Sequence, residues 1–267
     1  MAKTLVFIPM YNCEKQVVRV LSKFDKEVLE YVQEVIVVNN RSTDNGEAAV
    51  LKFKAEHPEV PVKLFRNRDN YGLGGSHKVA FNYALENGFT HVIVLHGDDQ
   101  GELSNLLPYL KSGEYRDCDC FLGARFMKGS RLDGYSTFRT VGNRVYNLLF
   151  SAGVGRMVYD LGSGLNLYRT EALRSGWYLK FKDNMIFNDY MLPAAIARGL
   201  RVRFFPIHWR EEDQVSNVKL FKNLMEVTDI LRMYVFDRRS LLEDEHRDVV
   251  REAYTAREIF SAEAKEE

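Results

Sequence analysis

A group of acidic and metal-binding side chains follows an apolar run in the segment HVIVLHGDDQ, residues 91–100. Carboxylate and amide oxygens suit Mg²⁺ or Mn²⁺, and an imidazole ligand favours Mn²⁺ or a softer metal. If the chain stays extended beyond Leu95, alternate side chains project to one side, because strand periodicity is two. The metal ligands predicted on that geometry are His96, Asp98 and Gln100. The spacing also allows a turn in which Asp98 and Asp99 cap the next helix, around Leu103.

Polar motifs also follow three earlier apolar runs, as PMYN at residues 9–12, NNRSTD at 39–44 and RNRDNYGLGG at 66–75. Ligands of an open parallel sheet gather outside the carboxyl ends of its strands. Four successive polar strand ends therefore predict one pocket.

The glycine segment at residues 72–76 does not have the spacing of a P-loop, because Gly72 is followed five residues later by His77. It also follows the third predicted strand, whereas a dinucleotide fingerprint follows the first. These glycines predict either a close approach of the backbone to a ligand or a tight turn.

Arginines recur in the second half of the chain. Arg125 ends a predicted strand, Arg139 and Arg144 lie on the next predicted helix, and Arg210 and Lys219 flank EEDQVSN. A site for a diphosphate or phosphate needs such donors, because a guanidinium binds phosphate oxygens bidentately. Taken singly, each arginine is better explained as ordinary surface charge.

The elements that must position these residues follow from hydrophobic periodicity. Short β-branched runs alternate with helical periods, which predicts βαβ units and an α/β fold with a mostly parallel sheet flanked by helices. Strands are predicted at residues 4–9, 34–38, 62–67, 91–95, 118–126, 164–169 and 201–209. Helices are predicted at residues 42–57, 76–88, 138–150, 188–199 and 218–236.

Composition limits the function classes. The 37 basic and 37 acidic residues give no net charge that would attract nucleic acid. The three cysteines lack the paired spacing of a zinc site, which favours a reducing compartment. No apolar run reaches the ~20 residues of a membrane helix, and the N-terminus lacks a signal-peptide layout, so a soluble or peripheral protein is expected.

The predicted organisation is a single domain over residues 1–217, followed by a C-terminal amphipathic helix and charged tail at 218–267. The helix at 218–236 is basic and amphipathic, a pattern found in membrane-surface helices and more commonly in helices that face a protein core. The tail from residue 243 is dense in charge, which predicts a solvated helix or partial disorder.

The ordered set of motifs resembles the family 2 inverting glycosyltransferases of the GT-A (Rossmann-like) fold, within them the dolichol-phosphate mannose synthase-like branch. The resemblance covers roughly residues 4–220. It rests on IPMYN, VVNNRSTD, NYGLGGSHKVAFNYA, HGDDQ, GARF, DLGSG and WREEDQVSN.

The resemblance implies a nucleotide-sugar donor, a Mg²⁺ or Mn²⁺ ion and a lipid-phosphate or glycan acceptor, with no nucleic acid. The catalytic residues that it implies are Asp98, Arg125, Arg139 and Asp189. The substrate-binding residues that it implies are Pro9, Tyr11, Asn12, Asn39, Asn40, Ser42, Gly72, Gly74, Lys78, Asp160, Ser163, Arg210, Ser216 and Lys219.

Four residues depart from the family's pattern. His96 stands where the family often has its first aspartate, Asn39 and Asn40 replace a pair of aspartates, and Cys13 replaces a common glutamate. A carboxylate pairs well with the two donors on the guanine edge, whereas an amide oxygen suffices for the single N3 donor of uracil. The asparagines therefore favour a UDP-sugar over a GDP-sugar.

The expected reaction is a single displacement that inverts the anomeric carbon, with a hexose passing to a polyprenyl or dolichyl phosphate. One alternative is a glycan hydroxyl acceptor, for which Asp189 is the candidate base. The other is a non-catalytic nucleotide-sugar-binding module, motivated by His96, Asn39 and Asn40. The expected location is cytoplasmic, with peripheral contact at the inner face of a membrane.

Overall fold

Predicted and observed elements agree closely in order. The computed structural model describes residues 2–212 and 220–261, without the side chains of 220–223. The strands are β1 (Thr4–Met10), β2 (Glu34–Asn39), β3 (Val62–Asn67), β4 (His91–Leu95), β5 (Cys120–Ala124), β6 (Arg131–Asp133), β7 (Leu165–Arg169), β8 (Val202–Pro206), β9 (His208–Arg210) and β10 (Ala256–Ile259). The helices are α1 (Glu14–Leu21), α2 (Lys26–Leu29), α3 (Gly46–Glu56), α4 (Gly72–Glu86), α5 (Leu107–Ser112), α6 (Thr137–Val154), α7 (Thr170–Leu173), α8 (Phe187–Ala197), α9 (Leu220–Phe236) and α10 (Arg238–Glu243).

One mixed sheet has the strand order β10-β3-β2-β1-β4-β7-β5-β8. Strands β3, β2, β1 and β4 are mutually parallel, as are β5 and β8, whereas β7 runs antiparallel to both β4 and β5. The predicted α/β fold with a mostly parallel sheet is confirmed. Because β1, β2 and β4 are neighbours and parallel, their carboxyl ends bring three of the four polar motifs together.

Helices cover both faces of the sheet. One apolar layer contains Phe81 of α4, Phe150 of α6 and Tyr190 of α8. The other contains Val17 of α1 and Phe53 of α3. Strands covered on both faces carry continuous apolar runs, which explains why the strand segments were recognisable in the sequence.

Two helix starts differ from the prediction. Helix α4 begins at Gly72, so the glycine segment forms its first turn instead of a separate turn before it. Helix α3 begins at Gly46 and has no side-chain cap. Ser42, which opens the predicted helix, instead accepts a hydrogen bond at Oγ from the backbone N–H of Asn12 at 3.0 Å.

The C-terminal segment packs onto the body of the protein. Helix α9 buries Val227, Ile230 and Tyr234, so the core-facing alternative for this helix is confirmed. Strand β10 pairs antiparallel with β3, which corrects the prediction of a solvated helix or partial disorder for this stretch. The predicted boundary at residue 217 lies outside the described residues and stays a prediction. Among the helices that the structure describes, none combines the length and apolarity required to cross a bilayer.

Candidate active site

The segment after β4 turns sharply, and this turn builds the centre of the site. Residues 97–99 form a turn, so the chain does not stay extended beyond Leu95 and the strand alternation predicted for the three metal ligands is wrong. A Cβ on Gly97 would lie 2.7 Å from the carbonyl oxygen of Pro9, so only glycine allows this approach to the end of β1. Asp99 takes a left-handed φ of 62°.

A cluster of cations holds this turn through Asp99, whose side chain is buried. Its carboxylate accepts a hydrogen bond from Arg19 Nε at 2.8 Å and pairs with Lys23. Arg210 lies 3.6 Å from the same carboxylate and 2.8 Å from Glu102. Asp99 therefore anchors the loop, a role that the sequence did not reveal because α1 and β9 are remote in the chain.

Arg210 was predicted to bind substrate; that stays a prediction, and in this structure Arg210 is paired with carboxylates of the protein. Its guanidinium faces Asp99 and Glu102, and its backbone N–H donates to the carbonyl of Gln100 at 3.0 Å. In this half-buried network the guanidinium of Arg210 and the carboxylates of Asp99 and Glu102 compensate one another's charge. Arg210 therefore fixes the position of the loop that carries Asp98 and Gln100.

Asp98 lies in this turn, and its surroundings favour the protonated form of its carboxyl group. Its Oδ1 accepts the backbone N–H of Gln100 at 3.2 Å, a local turn contact instead of the predicted cap on the helix near Leu103. Burial, with added repulsion from Asp99 and Glu211, raises the pKa of Asp98 to about 6. A nearby cation reverses such a shift, because it stabilises the ionised form.

The imidazole of His96 has different surroundings from Asp98 and Gln100. Its backbone N–H donates to the carbonyl of Gly164 at 2.9 Å, and a Cβ on Gly164 would lie 2.8 Å from the imidazole. Burial, with the charge of Arg125, lowers the pKa of His96 to about 4, so the ring is neutral at pH 7. Within the described part of the chain Nε2 has no hydrogen-bond partner, and no group of three or more His, Cys, Asp or Glu can hold a metal.

Arg125 is held rigidly at the end of β5. Its Nε and one terminal nitrogen each donate to the carboxylate of Asp160 at 2.8 Å, and that nitrogen also donates to the carbonyl of Gly162 at 2.9 Å. Burial alone would lower the pKa of Arg125, but Asp160 outweighs it and the net shift is upward. The guanidinium lies 5.2 Å from the ring centre of Trp209, which fixes its plane.

Arg139 enters the same region from the first turn of α6. One terminal nitrogen lies 2.8 Å from both carboxylate oxygens of Glu211, and the guanidinium lies 4.4 Å from the ring centre of Tyr135. Glu211 was not among the predicted site residues. Its charge also reaches Asp98, so the Arg139 pair and the turn after β4 belong to one neighbourhood.

Asp189 lies near the Arg125 pair, in the first turn of α8. A Cβ on Gly162 would lie 3.8 Å from its Oδ1. Burial raises the pKa of Asp189 to about 7, with Asp160 adding to the rise and Arg125 opposing it. A carboxyl group that titrates near neutrality suits a general base.

The nucleotide end of the pocket is formed where β1 and β2 end. Pro9 is partly exposed and Tyr11 is 47% exposed, so both are accessible to a ligand. Asn12 has a left-handed φ of 50°, and its Oδ1 accepts the backbone N–H of Thr43 at 2.8 Å, which joins the two loops. Ser42 completes this junction through its contact with the N–H of Asn12.

The two asparagines after β2 are already engaged within the protein. The amide of Asn39 donates to Glu47 at 2.6 Å and accepts the backbone N–H of Ser42 at 2.8 Å. The amide of Asn40 accepts from the backbone of Tyr71 at 2.8 Å and from Asn67 at 3.0 Å. Both side chains are buried. In this structure the amides of Asn39 and Asn40 therefore join loops of the protein, and their predicted contact with a base stays a prediction.

The glycine segment approaches protein, which corrects the prediction that Gly72 and Gly74 bind substrate. A Cβ on Gly72 would lie 2.5 Å from the carbonyl of Asp183, and one on Gly74 would lie 2.5 Å from that of Lys182. The backbone N–H of Gly74 donates to the Asp183 carbonyl at 2.7 Å. The N-terminus of α4 is thus occupied by another loop instead of an anion.

Lys78 and Ser163 are both buried and hydrogen-bonded within the protein. The ammonium of Lys78 is fully buried, and its three donors reach the Phe181 carbonyl at 2.5 Å, Asp183 at 2.7 Å and the Tyr254 hydroxyl at 3.2 Å. Ser163 Oγ donates inward, to the Leu165 carbonyl at 3.1 Å. Their predicted substrate roles are corrected to structural ones. Ser216 and Lys219 lie outside the described residues.

Replacing Lys78 with methionine is expected to lower the free energy of unfolding by about 1–3 kcal/mol, because the buried Phe181 carbonyl loses its donor, whereas Asp183 keeps Arg251 and Tyr254 as partners. UDP affinity per folded molecule should stay within about twofold, since the change lies outside the pocket. Chemical denaturation and calorimetric titration with UDP measure the two effects. Lys52→Met, at an exposed pair with Glu56, is the control, expected to change stability by less than about 0.5 kcal/mol. Lost UDP affinity at unchanged stability would contradict this assignment.

Comparison with known proteins gives a consistent result. Residues 5–177 match the family described as Glycosyl transferase family 2. The chain is 27% identical over 173 residues to undecaprenyl-phosphate mannosyltransferase of Micrococcus luteus, covering 65% of this chain and 69% of that protein. It is 25% identical over 176 residues to polyprenol monophosphomannose synthase of Mycolicibacterium smegmatis, covering 64% of this chain and 63% of that protein. The chain therefore spans about two thirds of the length of these relatives.

Among solved structures, one similar fold is glucosyl-3-phosphoglycerate synthase of Mycobacterium tuberculosis, in complex with Mn²⁺, UDP-glucose and phosphoglyceric acid. The TM-score is 0.60 at 17% sequence identity, and the match covers 88% of this chain and 80% of that one. At this identity the likeness concerns the fold.

Proposed function

Because the chain belongs to glycosyl transferase family 2 and has the GT-A fold, we propose that it transfers a hexose from a nucleoside diphosphate sugar to a polyprenyl or dolichyl phosphate, inverting the anomeric carbon. The observation that carries the proposal is the convergence of Asp98, the Arg125–Asp160 pair and the Arg139–Glu211 pair at the strand ends. This arrangement can hold a diphosphate and stabilise it as a leaving group.

The charges of the site support a divalent cation. The four carboxylates at Asp98, Asp160, Asp189 and Glu211 outnumber the guanidinium groups of Arg125 and Arg139 by two when all are ionised. A diphosphate added to such a site needs further positive charge. Asp98 and Gln100 supply oxygens that suit Mg²⁺ or Mn²⁺, and the donor diphosphate would complete the coordination. A bound cation there would neutralise the charge that develops on the leaving group.

The protein's own residues position and stabilise the donor. Arg125 keeps a fixed orientation because Asp160 and Trp209 hold its guanidinium, so little reorganisation accompanies charge development. Arg139 forms an ion pair with Glu211 in this structure, and its guanidinium can exchange that carboxylate for a phosphate oxygen. Pro9 and Tyr11 offer accessible surface for the base and ribose.

We still propose a uridine nucleotide as the donor, although this proposal no longer depends on a contact between Asn39 and the base. A carboxylate pairs well with the adjacent N1 and N2 donors of guanine. The carboxylates behind β2 are engaged: Glu47 with Arg66 and Asn39, and Asp44 with the backbone N–H groups of Glu14 and Gly46. Uracil presents only its N3 donor, so it needs fewer acceptors from such a pocket than guanine does.

The acceptor class is supported by the two bacterial relatives, one named for undecaprenyl phosphate and the other for the synthesis of polyprenol monophosphomannose. A phosphate monoester has its second pKa near 6, so it is mostly ionised at pH 7 and needs arginines more than a base. Action on such a lipid places the protein at the cytoplasmic face of a membrane, which is part of the proposal.

A glycan hydroxyl is the second candidate acceptor, and one observation favours it. Asp189, with a pKa raised to about 7, has the acidity expected of a group that removes a hydroxyl proton. A hydroxyl acceptor needs Asp189 as a base, whereas an ionised phosphate acceptor does not. Replacing Asp189 therefore distinguishes the two acceptors.

The test is a screen of UDP- and GDP-linked glucose and mannose with Mn²⁺, Mg²⁺ or EDTA, using polyprenyl phosphate or an oligosaccharide as acceptor. We expect cation-dependent transfer from a UDP-sugar to polyprenyl phosphate, measured as nucleotide release and labelled lipid. Asp189→Asn should then keep most of that activity, whereas a hydroxyl acceptor would lose about 10²- to 10⁴-fold. The control is Asp229→Asn, at an exposed position on α9.

The outcomes also separate an enzyme from a binding module. Donor binding without turnover on either acceptor would contradict the enzymatic proposal and support a non-catalytic nucleotide-sugar-binding protein. Tighter binding of GDP than of UDP would contradict the proposed uridine donor.

A further inference from the structure

Helix α6 exposes an apolar stripe that the proposed chemistry does not use. The stripe consists of Phe138, Val141, Val145, Leu148 and Leu149, which are between 50% and 79% exposed. Their spacing of three or four residues places them on one face of the helix, and they extend over about 16 Å at 1.5 Å per residue. Single exposed apolar residues need no explanation, but a continuous stripe indicates an interaction surface.

The opposite side of α6 is fixed to the protein, so this stripe is a stable surface feature. Phe150 is fully buried, and Asn147 donates to the carbonyl of Tyr159 at 2.7 Å. Helix α9 supports α6 from behind, since a Cβ on Gly153 would lie 2.6 Å from Leu231 Cδ1. Turning the stripe inward would break these contacts.

The charges around the stripe favour an anionic surface as its partner. Residues 137–154 contain no Asp or Glu, Arg144 and Arg156 are exposed, and Arg139 is paired with Glu211. Apolar residues flanked by arginines are the composition of a helix that lies in the headgroup region of an anionic bilayer. A second copy packed on the same face by twofold symmetry would place arginines near arginines, which opposes association.

The stripe begins at the candidate site. Phe138 directly precedes Arg139, whose guanidinium is bound to Glu211, and Asn143 one turn later donates to the Tyr135 hydroxyl at 3.1 Å. A membrane in contact with α6 would therefore lie beside the arginine proposed to bind phosphate. The headgroup of a lipid acceptor would reach the site without leaving the bilayer surface.

We infer that α6 is the membrane-contact element of this protein and lies along the interface of an anionic bilayer through its apolar stripe. The lipid-phosphate acceptor that this contact would serve rests on the proposed function; the contact itself rests on α6. The contact is assigned to α6 instead of residues 218–236, for which the sequence pattern allowed either a membrane surface or a core-facing helix, because α9 packs Val227, Ile230 and Tyr234 into the core.

The test is co-sedimentation of the full chain with vesicles of phosphatidylcholine and phosphatidylglycerol, compared with vesicles of phosphatidylcholine alone. We expect binding to the anionic vesicles that weakens at high salt. Replacing Leu148 and Leu149 together with glutamate should lower the vesicle partition coefficient at least about tenfold, because apolar burial is lost and like charge is introduced. Phe260→Glu, at a residue 76% exposed beyond β10, is the matched control and should bind like the wild type.

A milder variant, Val145→Gln, keeps the test valid if the double variant unfolds, and it should weaken binding in the same direction. Thermal unfolding of each variant verifies the fold. Wild-type binding by the folded stripe variants, or no vesicle binding by the wild type, would overturn the inference. So would a wild-type dimer, seen by light scattering, that the stripe variants convert to monomer, since the partner would then be a second copy.

Failure of the proposed function gives a different pattern. Transfer to a water-soluble, short-chain prenyl phosphate does not require a bilayer, so the stripe variants should retain it within about twofold. Absence of transfer to that acceptor from every donor, with stripe-dependent vesicle binding intact, would refute the proposed function and leave the membrane contact standing.

Discussion

Replacing Asp98 with asparagine is expected to lower kcat/KM for sugar transfer by at least about 10²- to 10³-fold, the effect of removing one preorganised group that stabilises transition-state charge. The amide keeps the shape and the local hydrogen bond to the N–H of Gln100 but loses the negative charge for a divalent cation. Nucleotide release measured across a Mn²⁺ titration gives both kcat/KM and the apparent cation affinity. Near wild-type, cation-dependent turnover in this variant would contradict the proposed site.

The same change should stabilise the protein in the absence of metal. The folded-state pKa of Asp98 is raised to about 6, above the value of an unfolded aspartate, so ionisation of Asp98 opposes folding. This penalty is absent below pH ~4, grows between pH ~4 and 6, and is complete above that window. In EDTA at pH 7.5 we therefore expect a Tm higher than wild type by roughly 2–4 °C per kcal/mol relieved, and no difference near pH 4.

Asp99→Asn is the matched control, because it makes the same substitution one residue away with the opposite expected sign. The Asp99 carboxylate is held by Arg19 and Lys23, so its loss leaves these cations without their buried partner and lowers Tm. Equal Tm shifts for the two variants would show that the two aspartates do not differ as the structure indicates.

Replacing Arg125 with methionine is expected to have the largest effect on stability, lowering the free energy of unfolding by about 3–5 kcal/mol. The reason is that Asp160, which is 3% exposed, is left as an unpaired charge in the interior. Urea denaturation at pH 7.5 measures the change. Arg174→Met, at an exposed pair with Glu171, is the control and should cost less than about 0.5 kcal/mol.

A double variant separates the structural role of Arg125 from its catalytic one. Removing both charges, as Arg125→Met with Asp160→Leu, should recover most of the lost stability, because replacing a whole buried pair with apolar groups is often neutral. Turnover should stay low, since the guanidinium is still missing. A double variant that recovers activity together with stability would mean that Arg125 acts only through the fold.

The order of strands and helices was predictable because each segment carries its own signal. Apolar runs such as VFI in β1 mark strands covered on both faces, and the left-handed Gly88 after α4 marks the end of a helix. The same local signals identified which loops hold Asp98, Arg125 and Asp189. Fold class and the neighbourhood of the site were therefore available from the sequence.

The individual roles within that neighbourhood were less predictable, because they depend on partners remote in the chain. The turn at Asp99 is held by residues 76 and 80 positions away, and Lys78 meets Asp183 105 positions away and Tyr254 176 positions away. A basic residue beside a glycine segment gives the same sequence pattern whether it faces phosphate or a buried carboxylate. Strand β10 was missed because charged residues are tolerated at a sheet edge.

The position of β10 has a consequence during synthesis of the protein on the ribosome. The edge of β3 is covered by Ala256–Ile259, and Tyr254, immediately before that strand, hydrogen-bonds to Asp183 at 2.7 Å. Until residues 256–259 leave the ribosome, the nascent chain presents an open strand edge at β3, which is a template for pairing with other chains. This sheet is therefore completed only after every other strand in it has been synthesised.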